Sequence, residues 1–369
     1  MDKENQTADL LYINDYLLSF FAFAAGSGSL VFQKEEWMAF SPEDGAWLWM
    51  LYEKDSENGA DMRRAIDQLF EMEHTERDGI YRAIAHDMKF DEELAESFSF
   101  ETVLLEKEEQ KLIEDFFLYF YKVVLCTAHF EMQGLSEGSL GRKELADMYF
   151  RGKNRALKHS CPVCLQTVTD ARREEDIEHY FPKSWVPCLV LHPGNLYFCC
   201  PACNQRYKRV RTPFGRGKKD LRRIFLPYID TVREKVQLTF CHEKEADQVR
   251  LRPADPGEPG IEDKIKAFDH LFRLEERWSG LLEYYYVTRQ EQYQKLGIRD
   301  PEALREQMDG DVYREKAISG QRPEKYLETR YLDWLRHSQL KAFYSNLTQE
   351  GREAVILPAT ERESGNTPS

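Results

Sequence analysis

Two Cys-x-x-Cys pairs, Cys161 with Cys164 and Cys200 with Cys203, stand 35 residues apart and constrain this chain more than any other feature. Four thiolates in two such knuckles suit one tetrahedral zinc ion, and a full set of protein ligands leaves no open position for a substrate. The expected metal is therefore structural. It would stabilise a short, core-poor segment by something on the order of 10 kcal/mol, the scale of zinc-finger peptides. The interval between the pairs leaves room for an inserted functional hairpin. Cys199 lies outside the register of its knuckle and Cys188 is a spare, while Cys126 and Cys241 read as buried thiols rather than disulfide halves.

Inside the interval stands the dipeptide Glu178-His179, and Asn204 follows directly on the last cysteine. A histidine beside a carboxylate can take a proton from water near neutral pH, while the carboxylate holds a divalent cation against phosphate charge. Asn204 would add a neutral oxygen to the same cation, magnesium or manganese, leaving coordination positions for water and phosphate. A basic strip begins two residues later. Residues 206–223 carry nine Lys or Arg against the single acid Asp220, a net +8 within a chain of net charge −14. A cationic strip on an acidic body draws a polyanion to one place and repels it elsewhere. Arg206, Arg209 and Arg211 are candidate phosphate contacts by charge and position. The HPG sequence at His192 reads as a turn, so His192 is taken as a loop residue.

These residues resemble the HNH nucleases, whose ββα-metal fold carries zinc knuckles around an acid-His-x-x-Pro stretch, an Asn-Leu pair and a Cys-x-x-Cys-Asn segment followed by a lysine. Glu178, His179 and Pro182, then Asn195 and Leu196, then Cys200, Cys203, Asn204 and Lys208 stand in that order here. The resemblance implies that His179 is the general base and that Glu178 and Asn204 bind the catalytic cation. It further implies that Asn195 braces the loop that orients His179 and that Lys208 contacts phosphate. One departure is Glu178, where many members carry aspartate; the extra methylene bears on metal choice and rate. The expected activity is hydrolysis of DNA to 5′-phosphate and 3′-hydroxyl ends. The likeness covers residues 158–241. Beyond it, residues 224–232 and 272–278 are similar to the wrapping of helical HNH proteins in bacterial anti-phage defence, Septu-type nuclease subunits in particular. That implies a partner, often an ATPase. A non-catalytic zinc-stabilised nucleic-acid-binding module or a helical scaffold is the competing expectation.

The remaining chain predicts an α+β, mainly helical protein, with the zinc-stabilised core inserted between two helical regions. Residues 1–157 form the N-terminal helical domain, with one helix over 104–130 carrying Leu112, Ile113, Phe116, Phe117, Phe120 and Val124 at helical spacing. Residues 158–241 are the nuclease core, with short strands at 166–169 and 196–198, a helix starting near Asn204 and an alternating strand at 235–240. Residues 242–350 are helical again: Ile265, Phe268, Leu271, Phe272, Trp278, Leu281, Leu282 and Tyr285 share one apolar face, with further helices at 301–308 and 323–347. The polar tail from about residue 351 is expected to be disordered. No apolar run is long enough to span a bilayer, and the opening MDKENQTAD is acidic where a secretory leader is basic. A cytoplasmic location follows as the expectation, and a homo-oligomer is open, since a double-strand break needs two active sites.

Overall fold

The computed structural model describes residues 3–54, 56–92, 98–151, 160–167, 176–215, 220–230, 232–243, 245–318, 322 and 325–356. The described chain is mainly helical, with three two-stranded sheets. It packs as two units: Met1–Gln237 with Arg252–Arg273, and Leu238–Leu251 with Leu274–Ser369. Among the described residues, no helix is long and apolar enough to cross a membrane.

The first unit holds both the N-terminal helices and the cysteine window. Helices α1 (Lys3–Gly26), α2 (Lys34–Phe40), α3 (Gly45–Glu53), α4 (Ala60–Glu71), α5 (His74–Asp87) and α6 (Lys107–Tyr119) surround a core rich in aromatic rings. Phe20 and Phe21 of α1 meet Phe116 and Phe117 of α6, and all four rings are buried. Edge-on and offset contacts of this kind add about 0.5–1.5 kcal/mol per pair beyond area burial. Helix α6 starts later than residue 104 because Glu106 caps it: its side chain accepts from the backbone of the third residue, and Glu109 reaches back to the Glu106 amide.

The single helix expected over 104–130 is not continuous. After Tyr119 the backbone widens into a π-helical turn, Phe120–Leu125. One residue is thereby inserted per turn, and Phe120 and Tyr121 are both buried side by side. A short ribbon of β1 (Phe130–Glu131) and β2 (Ser139–Leu140) then leads into α7 (Arg142–Arg151).

In the window, β3 (Asp176–His179) pairs antiparallel with β4 (Leu196–Cys199), in the register Asp176 to Cys199 and His179 to Leu196. A helical segment, Ala202–Lys208, follows at once, wound as a π-helix. Of the strand expected at 166–169, the described part forms a bridge between Ser160 and Thr167; residues 168–175 and residues 216–219 of the basic strip lie outside the described residues. The connection from Val186 to Leu191 is completely buried. It is covered by the N-terminal helices: the Asn14 side chain of α1 donates to the Leu191 carbonyl at 2.9 Å, and Phe90 packs edge-on against His192 and Phe181. Helix Ile261–Phe272 completes this unit.

The second unit contains most of the β5 (Val236–Glu243) and β6 (Ala246–Pro253) pair and the helices Leu274–Lys295, Pro301–Ile318, Lys325–Trp334 and Leu340–Ile356. Arg289 is buried there between Glu315 and Glu328, which supply the counter-charge that a guanidinium out of water requires. The apolar face read continuously from Ile265 to Tyr285 belongs to two helices. Arg273 adopts a left-handed conformation (φ 51°), its amide returns to the Asp269 carbonyl, and the first helix ends at Phe272. The last helix runs to Ile356, past the expected start of the tail. Residues 357–369 lie outside the described residues.

Candidate functional site

The four knuckle cysteines converge. Their Sγ atoms all lie within 4.8 Å of one another, and all four are buried. Cys161 Sγ stands 3.9 Å from Cys203 Sγ, and Cys164 Sγ 3.8 Å from Cys200 Sγ. A disulfide requires about 2.05 Å. A tetrahedron of Zn–S bonds near 2.3 Å has edges of about 3.8 Å, so the cluster has the size of a zinc tetrathiolate. The backbone is shaped for it as well. Leu165 turns left-handed (φ 61°), Cys161 accepts the Leu165 amide through its carbonyl, and the Cys200 amide points at Cys161 Sγ. The four thiols titrate together: their mutual hydrogen bonds lower Cys164 and Cys200 and raise Cys161 and Cys203, so the cluster shares its protons among the sulfurs. A bound metal displaces those protons, because only thiolates ligate it.

The hairpin runs from this cluster to a second set of side chains. Asn195, wholly buried, fastens the loop after His179: its Oδ1 accepts the Phe181 amide at 2.7 Å, and its Nδ2 donates to the Leu189 carbonyl at 2.9 Å and the Phe181 carbonyl at 3.3 Å. A Cβ at its neighbour Gly194 would meet Asp91 Oδ2 at 2.5 Å and Phe90 Cζ at 3.1 Å, so a larger residue there would have to displace both side chains. The Gly194 amide donates to His192 Nδ1, so the HPG sequence forms the turn its residues suggest and His192 caps it. Replacing Asn195 with alanine strands buried backbone groups on both sides of this loop. Stability should fall by on the order of 3 kcal/mol in denaturant titrations; a loss below about 0.5 kcal/mol would show that the loop holds itself.

That loop presents the Val190 carbonyl to His179 Nε2 at 2.9 Å. A carbonyl only accepts, so Nε2 carries the proton and Nδ1 keeps the lone pair. The ring is 3% exposed and packs edge-on against Tyr121, which the π-helical turn supplies, at 4.6 Å between centroids. Burial pushes its pKa from 6.5 down to about 3, against the pull of the Val190 carbonyl and with help from Lys183 and Lys208. Between those two values the unfolded chain holds a proton that the folded chain does not. The stabilisation is complete above about 6.5 and is lost as pH falls toward 3, by up to about 1.4 kcal/mol per unit. The melting temperature should therefore drop between pH 7 and 5, and His179→Gln should flatten that slope.

Glu178, His179, Asn204 and Arg209 line one open cleft of about 460 Å³. Not every expected contact lies in it. Lys208, which the resemblance puts on phosphate, is completely buried with its ammonium 2.9 Å from Glu178 Oε1. An ammonium without water needs such a counter-charge. Arg206 lies over the Tyr207 ring, and Arg211 donates to the His270 carbonyl. At the far end of the strip, Arg222 is tied to Asp220 and Arg223 to Asp263.

No family model, curated protein or solved structure matches the chain. Its chemistry is therefore argued from its own residues. Among the described residues, the four cysteines are the single metal-sized cluster of His, Cys, Asp or Glu side chains. A cation in the cleft would rest on one carboxylate, Glu178, with the amide oxygen of Asn204, a donor set that suits magnesium and leaves room for water and phosphate. Sequence reasoning missed Tyr121, Arg142 and Lys183, which also line the cleft. Lys183 follows Pro182 of the recognised stretch and was within reach of a positional argument; the other two come from the N-terminal helices and carry no local signal.

Proposed function

We propose that this chain is a metal-dependent HNH-type endonuclease with a structural zinc, hydrolysing DNA phosphodiesters to 5′-phosphate and 3′-hydroxyl ends. The observation that carries the reading is the geometry of His179, held in one tautomer by its Nε2–H bond to the Val190 carbonyl and sharing one cleft with Glu178 and Asn204. His179 Nδ1 takes a proton from water, and the resulting hydroxide attacks phosphorus as the bond to the 3′ oxygen breaks. Glu178 and Asn204 would hold the catalytic cation, which when bound would offset the charge developing on the phosphoryl and departing oxygens. Asn195 acts through the loop by fixing the carbonyl that orients His179. An effector role in anti-phage defence, with a partner ATPase as restraint, extends the same reading and rests on the likeness of residues 224–232 and 272–278.

One observation favours a second reading, a zinc-stabilised module that grips nucleic acid without cutting it: the Lys208 ammonium already neutralises Glu178. Incubation of supercoiled plasmid with purified protein, with magnesium or manganese and without divalent cation, separates the two. Metal-dependent nicking or linearisation supports the nuclease. Binding with no cutting under any metal supports the module.

A further inference from the structure

The cleft beside His179 is lined by three cations that converge from three places in the chain. Arg142 opens helix α7, Lys183 follows the Pro182 turn, and Arg209 ends the helical segment Ala202–Lys208. The one acid in the lining, Glu178, is already paired with Lys208. Among the described residues no carboxylate stands in ion-pair contact with Arg142, Lys183 or Arg209, and all three line the cleft.

Lys183 and Arg209 are also held in a manner that a solvated surface charge does not need, whereas Arg142 reaches the cleft from the exposed first turn of α7. The Lys183 ammonium stands 4.9 Å from the centre of the Tyr121 ring, the same ring that packs on His179. Arg209 adopts φ 51°, ψ −125°, a conformation that costs a non-glycine residue about 1–3 kcal/mol and that clusters at ligand clamps. Between Arg209 and Arg211, Val210 lines the cleft while 77% exposed, an apolar surface at its lip. Burial lowers the Lys183 pKa, and Lys122 and Lys208 lower it further against Glu178. Cations crowded together with too little counter-charge are completed by an anion from outside. A phosphodiester chain with an apolar sugar edge matches that lining.

We propose that Arg142 and Lys183, with Arg209, form a second phosphate station that grips the nucleic-acid strand next to the phosphate facing Glu178 and His179. The N-terminal helical region thereby supplies part of the substrate grip through Arg142. The inference rests on the nuclease reading for its substrate, yet its test does not depend on cutting.

The experiment measures binding of the full chain to a fluorescently labelled short DNA duplex, without divalent cation, over about 0.05–0.2 M salt. Arg142→Gln with Lys183→Gln should reduce the slope of log affinity against log salt by about 2, and each single change by about 1. The loss should be equal for unrelated sequences. The charge-preserving pair Arg142→Lys with Lys183→Arg should keep the parental slope. Lys266→Gln with Lys295→Gln, at exposed cations outside the cleft, should leave it unchanged. The station is overturned if the parent does not bind, if the double variant keeps the parental slope, or if the control pair lowers it equally. A reduced slope in a protein that fails to cut with every divalent metal tested keeps the station and removes the nuclease reading. Metal-dependent cutting with an unchanged slope removes the station alone.

Discussion

Replacing His179 with alanine should lower magnesium-dependent plasmid cleavage by a factor on the order of 10³, the range attributed to a general base. The zinc content should not change, because the four cysteines approach through their own knuckles and His179 donates to Val190 rather than to any sulfur. Initial rates of supercoil loss, read beside metal content by elemental analysis, separate lost chemistry from lost fold. The substitution also empties a buried space beside Tyr121, so a destabilisation of roughly 2 kcal/mol is expected alongside it. Cleavage within threefold of the parent would remove His179 from the role of base, whatever the fate of the fold.

Losing the four-cysteine metal should be more damaging to the fold than any single change in the cleft. With zinc bound, stripping it by a strong chelator, or Cys161→Ser, should lower the melting temperature by roughly 10 °C or more, since such a metal contributes on the order of 10 kcal/mol to its segment. Cleavage should disappear with it although this metal touches no substrate. Asn204 follows Cys203 directly, and Lys208, at the end of the same helical segment, holds Glu178. Adding back magnesium alone should then fail to restore activity, whereas zinc followed by magnesium should succeed. A protein isolated without zinc, with an unchanged melting curve in chelator, would end the structural-metal assignment.

What could be read from the chain in advance was local chemistry. The cysteine spacing pointed to a cluster, and the sulfurs converge. The acid-His stretch and the Asn-Leu pair were placed in order, and they form the two strands of one hairpin, Glu178 opposite Tyr197 and His179 opposite Leu196. Arginine 142 could not be read, because its position depends on how α7 packs, and nothing beside it in sequence marks a cleft. Lys208 was assigned to phosphate by the resemblance, and Arg211 by charge and position. Their actual partners, Glu178 and the His270 carbonyl, are long-range and were chosen by tertiary packing. Periodicity misled where backbone geometry intervened. The π-helical turn after Tyr119 and the left-handed Arg273 leave the apolar spacing intact while changing the helix that carries it.

The buried connection between the strands has a consequence for anyone who would move this candidate site elsewhere. Val186, Leu189, Val190 and Leu191 are wholly shielded; Asn14 of α1 holds the Leu191 carbonyl, and Phe90, in the turn after α5, packs on His192 beside it. Residues 158–241 cut free of those helices would present that row of aliphatic side chains to water, and His179 would lose the rigid carbonyl it leans on. The small centre is therefore not a cartridge that can be clipped out and grafted. In a fusion or a truncation, it travels with its N-terminal helices or arrives sticky and misaligned.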